Sequence, residues 1–200
     1  MNPRRFALAE LPATPWKNGG GRTREIACWP PAAGLDDFDW RVSVATIAAS
    51  GPFSTFAGID RVITLLSGDG VLLHGPAGAH QLNQPLVPYA FAGEERIEAS
   101  LLGDASDDFN VMTRRARCRA RVQVLRDAAP GDAATEDAAL LLAVHGDWVC
   151  AGADTALMPV PARSGVWWAP GERKPVVELR PQRMDAEAAA LWVVIEYVET

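Results

Sequence analysis

Two glycine-centred segments of this 200-residue chain recur at a single fixed spacing. Residues 66–70 (LSGDG) resemble residues 144–148 (VHGDW), and residues 91–96 (FAGEER) resemble residues 168–173 (WAPGER). In both pairs the matching glycines are 78 positions apart. A repeat identifies the structural unit before any strand is assigned, because each copy has to form the same supersecondary structure. The spacing therefore predicts a duplicated fold.

The segments around these turns show the period-two alternation of β-strands. In residues 40–45 (WRVSVA), three large apolar side chains alternate with Arg41, Ser43 and Ala45. Fifteen prolines and 17 glycines separate such stretches, and only Asp132–Ala138 and Arg183–Ala188 are helix-prone. Further strands are predicted at Arg61–Leu66, Gly70–Leu73, Ile97–Leu102, Phe109–Thr113, Leu140–Val144, Val166–Trp168, Val176–Leu179 and Leu191–Val198.

Antiparallel strands joined by glycine turns, without helical crossovers, favour a closed barrel or jelly roll, which leaves few exposed edges. Residues 51–70 resemble the first motif of cupins, in which a Gly-acid-Gly turn ends a metal-bearing strand pair. We therefore predict a mostly β protein of cupin-like (RmlC-like) jelly-roll barrels, duplicated as a bicupin. A first lobe with the pocket is expected at residues 1–122. A degenerate second lobe, packed against the first and able to exchange strands with it, is expected at residues 123–200.

The cupin-like motif has no metal-ligating side chains. A cupin places two histidines and a glutamate before the turn, whereas counting back from Gly68 puts Arg61 at the glutamate position. The histidine positions are held by Ala57 and Thr55 or, with one more loop residue, by Phe56 and Ser54. The histidines of the chain lie elsewhere, in a predicted Gly/Pro loop (His74 and His80) and beside the second turn (His145). Since none of the motif side chains binds a divalent transition metal, we predict no metal and no cofactor.

Residues 14–25 (TPWKNGGGRTRE) hold the densest group of special side chains. Three consecutive glycines let a backbone approach a ligand closely, and exposed N–H groups can bind an anion. Trp16, Lys17 and Asn18 add an aromatic plane, a cation and an amide, which a small carboxylate site would use. The alternative is a simple hairpin, because Asn18-Gly19 is a strong turn signal. The sequence leaves both interpretations open.

Two arginines are predicted to point into the first barrel. Arg41 lies on the polar face of its strand, and Arg61 lies on the strand that leads to the cupin-like turn. An unpaired buried guanidinium costs several kcal/mol, so either an internal acid such as Glu25 or a ligand carboxylate has to pair with it. Asn110 and Met112 share one face of a later strand, where an amide reads a ligand carbonyl or serves as a satisfied core polar group.

Residues 114–122 (RRARCRARV) alternate arginine with small residues, as a half-exposed strand does. Such a stripe can contact nucleic acid, but the formal net charge of -6 repels phosphates. The acids expected to neutralise the stripe are Asp104, Asp107, Asp108 and Asp127. No apolar run approaches the roughly 20 residues of a membrane span, and no signal-like core follows the first residues. We expect a cytoplasmic protein with no nucleic-acid or membrane partner, whose tryptophan-rich second lobe is structural or a homodimer interface.

Together these motifs resemble the HutD/Ves family of bacterial cupin-fold proteins. The likeness runs from about Leu11 to Val198 and is carried by residues 14–25, 40–45, 51–54, 58–61 and 108–112. The resemblance implies a bicupin with one small pocket and no established catalytic activity. It also implies an association with histidine-utilisation gene clusters, a role in limiting or sensing flux, and N-formylglutamate or urocanate as candidate ligands. Other members are described as stress-induced.

The leading hypothesis is a metal-independent binding protein whose first-lobe pocket holds a small carboxylate. The predicted ligand-binding residues are Trp16, Lys17, Asn18, Glu25, Arg41, Ser43, Phe53, Arg61, Asn110 and Met112. The alternative is an enzyme that acts on a small organic acid with Lys17 or Glu25 as acid or base, although no standard catalytic motif is present and we favour the non-enzymatic hypothesis. A third hypothesis is transcriptional regulation through Arg115, Arg117 and Arg119.

Overall fold

The computed structural model describes residues 3–132, 137–152, 157–172, 176–183 and 186–198, with Val177 as backbone only. Within these residues the chain forms nineteen β-strands and no helix. In chain order the strands are β1 (Arg4–Ala7), β2 (Ala13–Pro15), β3 (Gly21–Trp29), β4 (Trp40–Ile47), β5 (Gly51–Pro52), β6 (Ile59–Ser67), β7 (Val71–Gly75), β8 (Gly78–Leu82), β9 (Tyr89–Ala92), β10 (Glu98–Leu101), β11 (Ser106–Arg114), β12 (Cys118–Leu125), β13 (Ala129–Pro130), β14 (Ala138–His145), β15 (Trp148–Gly152), β16 (Met158–Val160), β17 (Ser164–Trp168), β18 (Val176–Pro181) and β19 (Ala189–Tyr197).

The chain divides into two compact units. The first unit is Leu11–Arg119, and the composite unit combines the described parts of Met1–Glu10 and Ala120–Thr200. The first unit contains a six-stranded sheet, ordered β2-β3-β4-β11-β6-β9, and a four-stranded sheet, ordered β5-β10-β7-β8. Apolar side chains of the two sheets, among them Ile63 on β6 and Leu73 on β7, meet in one buried cluster. Two sheets packed face to face in this way form a jelly-roll core.

The composite unit repeats this arrangement with an additional N-terminal strand. Its five-stranded sheet is ordered β1-β17-β14-β19-β12, and its four-stranded sheet is ordered β13-β18-β15-β16. Strand β1 pairs antiparallel with β17, so that Phe6 lies opposite Gly165. Residues 3–10 therefore belong with the C-terminal half of the chain.

The strand pairings confirm the duplication that the 78-residue spacing predicts. In the first unit β6 pairs with β9 and β11, β7 pairs with β8 and β10, and β4 pairs with β11. In the composite unit β14 pairs with β17 and β19, β15 pairs with β16 and β18, and β12 lies beside β19. The repeated turns at Gly68 and Gly146 connect equivalent strands, and both glycines have positive φ, of 94° and 68°.

Three local expectations differ from the structure. His74 and His80 lie on β7 and β8 rather than in a loop, because the short turn between these strands spans only residues 76 and 77. Of the helix-prone segments, residues 133–136 and 184–185 lie outside the described residues, while Ala138 already begins a strand. The basic stripe is not one strand, since residues 115–117 form a turn between β11 and β12.

Among the described residues no helix has the length and hydrophobicity to cross a membrane.

Candidate functional site

The inner surface of the six-stranded sheet in the first unit carries a group of polar side chains, which we call the polar face. Because residues two apart on a strand share a face, the register places the members side by side across β3, β4, β11 and β6. Ser43 lies opposite both Glu25 and Asn110, and Met112 lies opposite both Arg41 and Arg61. The polar face consists of Glu25, Arg41, Ser43, Arg61, Asp108 and Asn110.

Arg61 is the most unusual member of the polar face. Its Nη1 donates to the carbonyl oxygen of Ser54 and its Nη2 donates to Oδ1 of Asn110, both over 3.4 Å, while its Nε is buried without a partner. No described carboxylate forms an ion pair with it. Burial lowers the pKa of Arg61 to about 10, and the charge of Arg41 adds to the lowering. The guanidinium is therefore charged at neutral pH and uncompensated.

Three phenyl rings surround the Arg61 guanidinium. Its central carbon lies 4.9 Å from the ring centroid of Phe91, 5.3 Å from that of Phe53 and 5.8 Å from that of Phe56. The segment that carries Phe53 and Phe56 is held by backbone hydrogen bonds to Ile97 and Gly93. Aromatic faces attract a guanidinium, by roughly 0.5–2 kcal/mol each, without neutralising its charge. The rings position Arg61 but do not replace a counter-ion.

Arg41 does have an internal counter-ion. Its Nε lies 2.6 Å from Oε2 of Glu25, and the Arg41 side chain is 15% exposed whereas that of Glu25 is 49% exposed. A register shift in β3 between Glu25 and Ala27 places Glu25 opposite Ser43. Glu25 thus supplies the internal acid that the sequence requires for one of the two arginines, and it lies where the polar face meets solvent.

Asn110 and Asp108 form the buried part of the polar face on β11. Asn110 donates from Nδ2 to the backbone oxygen of Asp108 over 3.0 Å, which orients its Oδ1 toward Arg61. Asp108 is fully buried, its Oδ2 accepts from the Ser106 hydroxyl over 3.0 Å, and its Oδ1 has no partner. Burial raises the pKa of Asp108 to about 7. The carboxyl is therefore largely neutral below that pH.

The residues of the glycine-rich segment separate into two groups. Trp16 packs against the buried cluster of the first unit and donates from Nε1 to the Thr23 hydroxyl over 2.8 Å. Lys17 and Asn18 are exposed in the turn between β2 and β3, where Oδ1 of Asn18 accepts from the backbone N–H of Gly20 over 3.0 Å. The hairpin interpretation therefore describes the local structure. A ligand role for Lys17 and Asn18 stays a prediction.

The structure brings seven of the predicted binding residues together and leaves three at the periphery. Ser43 and Met112 are buried beside the charged groups of the polar face, and Phe53 contacts Arg61. The residues that share the site are Glu25, Arg41, Ser43, Phe53, Arg61, Asn110 and Met112. The others are Trp16, Lys17 and Asn18.

Asp108 and the rings of Phe56 and Phe91 were not predicted as part of the site. Asp108 follows Asp104 and Asp107 in sequence and was interpreted as a surface acid that neutralises the basic stripe. Instead it faces the barrel interior, two residues before Asn110. Strand alternation from Asn110 is the signal that identifies it, because positions 108, 110 and 112 share one face.

The basic stripe pairs with acids other than those expected. Arg115 contacts Asp60 and Glu94, Arg117 contacts Asp39, and Arg121 contacts Asp132. These residues lie outside the polar face, and the pairs neutralise much of the stripe. The arrangement gives the nucleic-acid hypothesis no support.

The site does not fit a transition metal. Among the described residues no group of three or more histidine, cysteine, aspartate or glutamate side chains is placed to hold a metal ion. Where a cupin would supply a carboxylate ligand, Arg61 presents a positive charge that repels a cation. The chemistry of the donor set is suited to an anion.

The described part of the composite unit has no comparable polar face. Its core is apolar and is dominated by Trp148, Trp168 and Trp192, with the rings of Trp168 and Trp192 edge to face at 6.3 Å. A cavity of about 200 Å³ lies beside β1, but Nη1 of Arg5 at its edge donates to the carbonyl oxygen of Pro159. The volume of this cavity does not by itself indicate a binding site. The uncompensated charge, that of Arg61, lies on the polar face instead.

A duplicated jelly roll, with Arg61 where a cupin supplies a metal ligand, defines the class, a bicupin. A cupin 2 conserved barrel domain protein from Leptotrichia buccalis confirms the predicted fold, with a TM-score of 0.57, 8% identity, and coverage of 98% of this chain and 96% of that one. The HutD family model matches residues 8–187. The chain belongs to the HutD family, as its motifs predict.

Individual relatives agree with this assignment. Protein Ves of Cronobacter sakazakii is 41% identical over 83% of this chain and 87% of its own length. Protein Ves of Citrobacter koseri is 49% identical over 60% of this chain, a match that spans 62% of that relative. The structure of HutD from Pseudomonas fluorescens SBW25 in a formate condition is 26% identical, covers 99% of this chain and 100% of that chain, and has a TM-score of 0.83.

Proposed function

We propose that this chain is a metal-independent binding protein for a small carboxylate, which docks on Arg61 in the first unit. The observation that carries the proposal is the half-buried guanidinium of Arg61, which has aromatic and neutral oxygen neighbours but no described carboxylate partner. A buried charge without a counter-ion costs several kcal/mol. A ligand carboxylate removes that cost and accepts charge-assisted hydrogen bonds.

The biological setting that we propose follows from the family. N-formylglutamate and urocanate are the candidate ligands, and the binding protein modulates histidine utilisation or a stress response in the bacterial cytoplasm. The structure of HutD from Pseudomonas fluorescens SBW25 represents a formate condition, and formate is itself a small carboxylate. We propose no nucleic-acid or membrane partner, and a homodimer as the assembly.

Calorimetric titration with N-formylglutamate, urocanate and glutamate tests the proposal. We expect at least one of these acids to bind, and Arg61→Gln to weaken binding by roughly 10- to 150-fold, because an arginine-carboxylate contact contributes about 1.5–3 kcal/mol. Arg115→Gln is the matched control, since Arg115 pairs with Asp60 and Glu94 outside the polar face. Equal silence of wild type and Arg61→Gln toward all three acids would contradict the proposal.

A further inference from the structure

The polar face contains two arginines but only one carboxylate that pairs with either of them. Glu25 lies 2.6 Å from Nε of Arg41 and so balances its charge. The other acid of the face, Asp108, forms no ion pair with either arginine. The thiol of Cys28, opposite Arg41 on β3, is neutral because burial raises its pKa to about 11. Below pH 7, where Asp108 is largely neutral, the described charges of the face therefore leave one positive charge, that of Arg61.

The two arginines are close enough for one small molecule to reach both. Arg41 and Arg61 flank the same residue of β11, Met112, so their backbones are two strand spacings, or roughly 10 Å, apart. Both side chains face the barrel interior, and the charge of Arg41 is felt by Arg61. A ligand with two carboxylates would thus meet a second guanidinium, that of Arg41. This guanidinium already forms an ion pair with Glu25.

We propose that Glu25 sets the charge of the ligand: by neutralising Arg41 it leaves Arg61 as the single uncompensated cation, so the site takes monocarboxylates and disfavours dicarboxylates. This inference rests on the proposed function of Arg61 as the carboxylate anchor. Of the two candidate ligands it favours urocanate, which has one carboxylate, over N-formylglutamate, which has two. A second ligand carboxylate near Arg41 has to displace the Glu25 carboxylate or lie beside it. In the second case the two negatively charged carboxylates repel each other. Glu25 is a specificity residue in this scheme and takes part in no reaction.

A pair of probe acids with the same carbon chain isolates the effect of one carboxylate. Pentanoate and glutarate both have five carbons and differ by a single carboxylate. We expect wild type at pH 6.0, where Asp108 is mostly protonated, to bind pentanoate roughly tenfold more tightly than glutarate. In Glu25→Gln the freed Arg41 becomes a second anchor, and we expect the ratio of the two dissociation constants to shift at least tenfold toward glutarate.

A double-variant cycle and a fold control complete the experiment. Adding Arg41→Gln to Glu25→Gln removes the second anchor, so we expect the gain for glutarate to disappear. The ratio of the two dissociation constants measured on one variant does not depend on the fraction of folded protein. Circular dichroism measures that fraction separately. The wild-type comparison needs no variant and stands even if Glu25→Gln does not fold.

The outcomes separate this inference from the proposed function. If wild type binds glutarate as tightly as pentanoate or more tightly, or if Glu25→Gln leaves the ratio unchanged, the role of Glu25 is wrong while the carboxylate site at Arg61 stands. If wild type binds neither acid and Arg61→Gln changes nothing, both proposals are wrong. A wild-type preference for pentanoate that Glu25→Gln reverses supports both.

Discussion

At the scale of single residues, the neighbours of Arg61 hold its side chain in place without neutralising its positive charge. Phe53, Phe56 and Phe91 offer ring faces, and Asn110 offers a neutral oxygen. An ion pair inside the barrel would be more stable in the free protein, but it would have to break before a ligand could bind. The aromatic neighbours thus hold the guanidinium ready for an anion and leave the compensating charge to the ligand.

Asp108 makes the stability of the protein depend on pH. Its pKa is about 7 in the folded state because of burial and about 4 in an unfolded chain. Between these values the folded protein keeps a proton that the unfolded chain releases, so this contribution to stability is complete below pH 4 and is lost as the pH rises to 7. Ionisation of Asp108 makes the unfolding free energy of wild type fall by at most about 1.4 kcal/mol per pH unit. We expect this pH dependence to be absent in Asp108→Asn.

Urea unfolding at pH 5, 6, 7 and 8 measures this slope. The variant should gain stability relative to wild type as the pH rises. Asp127→Asn, which removes an exposed carboxylate, controls for the change in net charge. Parallel pH curves for wild type and Asp108→Asn would show that the buried carboxyl ionises normally.

The sequence predicts part of this site and not the rest, for physical reasons. The positions of Arg41 and Arg61 follow from strand alternation and from the count back from Gly68, and both side chains do face the interior. Asp108 was missed because its acidic neighbours suggest solvent exposure. Strand alternation places Asp108 on the face of Asn110, and the pairing with Ala45 and Leu65 shows that this face is the buried one.

At the scale of elements, the hairpin of β2 and β3 depends on a glycine at the point of closest approach. A Cβ on Gly21 would collide with the carbonyl oxygen of Thr46 and would lie 3.1 Å from the Trp16 ring. We expect Gly21→Ala to lower the unfolding free energy by about 1–3 kcal/mol, because a crowded site has to move backbone atoms to admit a methyl group. Thermal or urea unfolding checks this expectation.

Gly20→Ala is the matched control in the same hairpin. A Cβ there would meet only the side chain of Asn18, with the nearest atom at 3.4 Å, and φ of Gly20 is not positive. We expect this neighbouring substitution to change the unfolding free energy by less than about 0.5 kcal/mol. Equal losses for the two variants would mean that the hairpin, and not the contact with β4, determines the effect of Gly21→Ala.

The strands that the sequence identifies are those with strong alternation. Apart from the stripe at residues 114–122, which a turn divides, each strand predicted from residue 40 onward was found, and β4, β6 and β11 extend beyond the predicted bounds. The shorter strands β1 and β13 were missed because residues 4–7 (RRFA) and 129–130 (AP) carry no apolar period of their own. Pairing with β17 and β18 makes them strands, and pairing between distant segments is not visible in a local pattern.

At the scale of the whole molecule, an ion pair joins the two sequence segments of the composite unit, residues 3–10 and the described residues from Ala120 onward. Arg4 donates to both carboxylate oxygens of Glu172 over 2.8 and 3.0 Å, and its guanidinium lies 4.5 Å from the Trp167 ring centroid. The Glu172 side chain is 9% exposed, so loss of Arg4 leaves a poorly solvated carboxylate. We expect Arg4→Gln to lower the unfolding free energy by about 1–2 kcal/mol.

Arg5→Gln is the control for this prediction. Arg5 lies on the same strand, opposite Val166 of β17, but the hydrogen bond described for its side chain is to the Pro159 carbonyl oxygen, in an exposed position. We expect its loss to cost at most about 0.5 kcal/mol in urea unfolding. A larger loss for Arg5→Gln than for Arg4→Gln would show that the bidentate pair does not stabilise β1.

The docking of β1 against β17 has a consequence for synthesis on the ribosome. Arg4–Ala7 leave the exit tunnel long before their partner strand, because Ser164, the partner of Ala7, is translated about 160 residues later. At roughly 5–20 residues per second, this strand waits on the order of 10–30 s before its partner exists. During that interval the β1 segment is available to chaperones and proteases, while Leu11–Arg119 can already complete its own sheets.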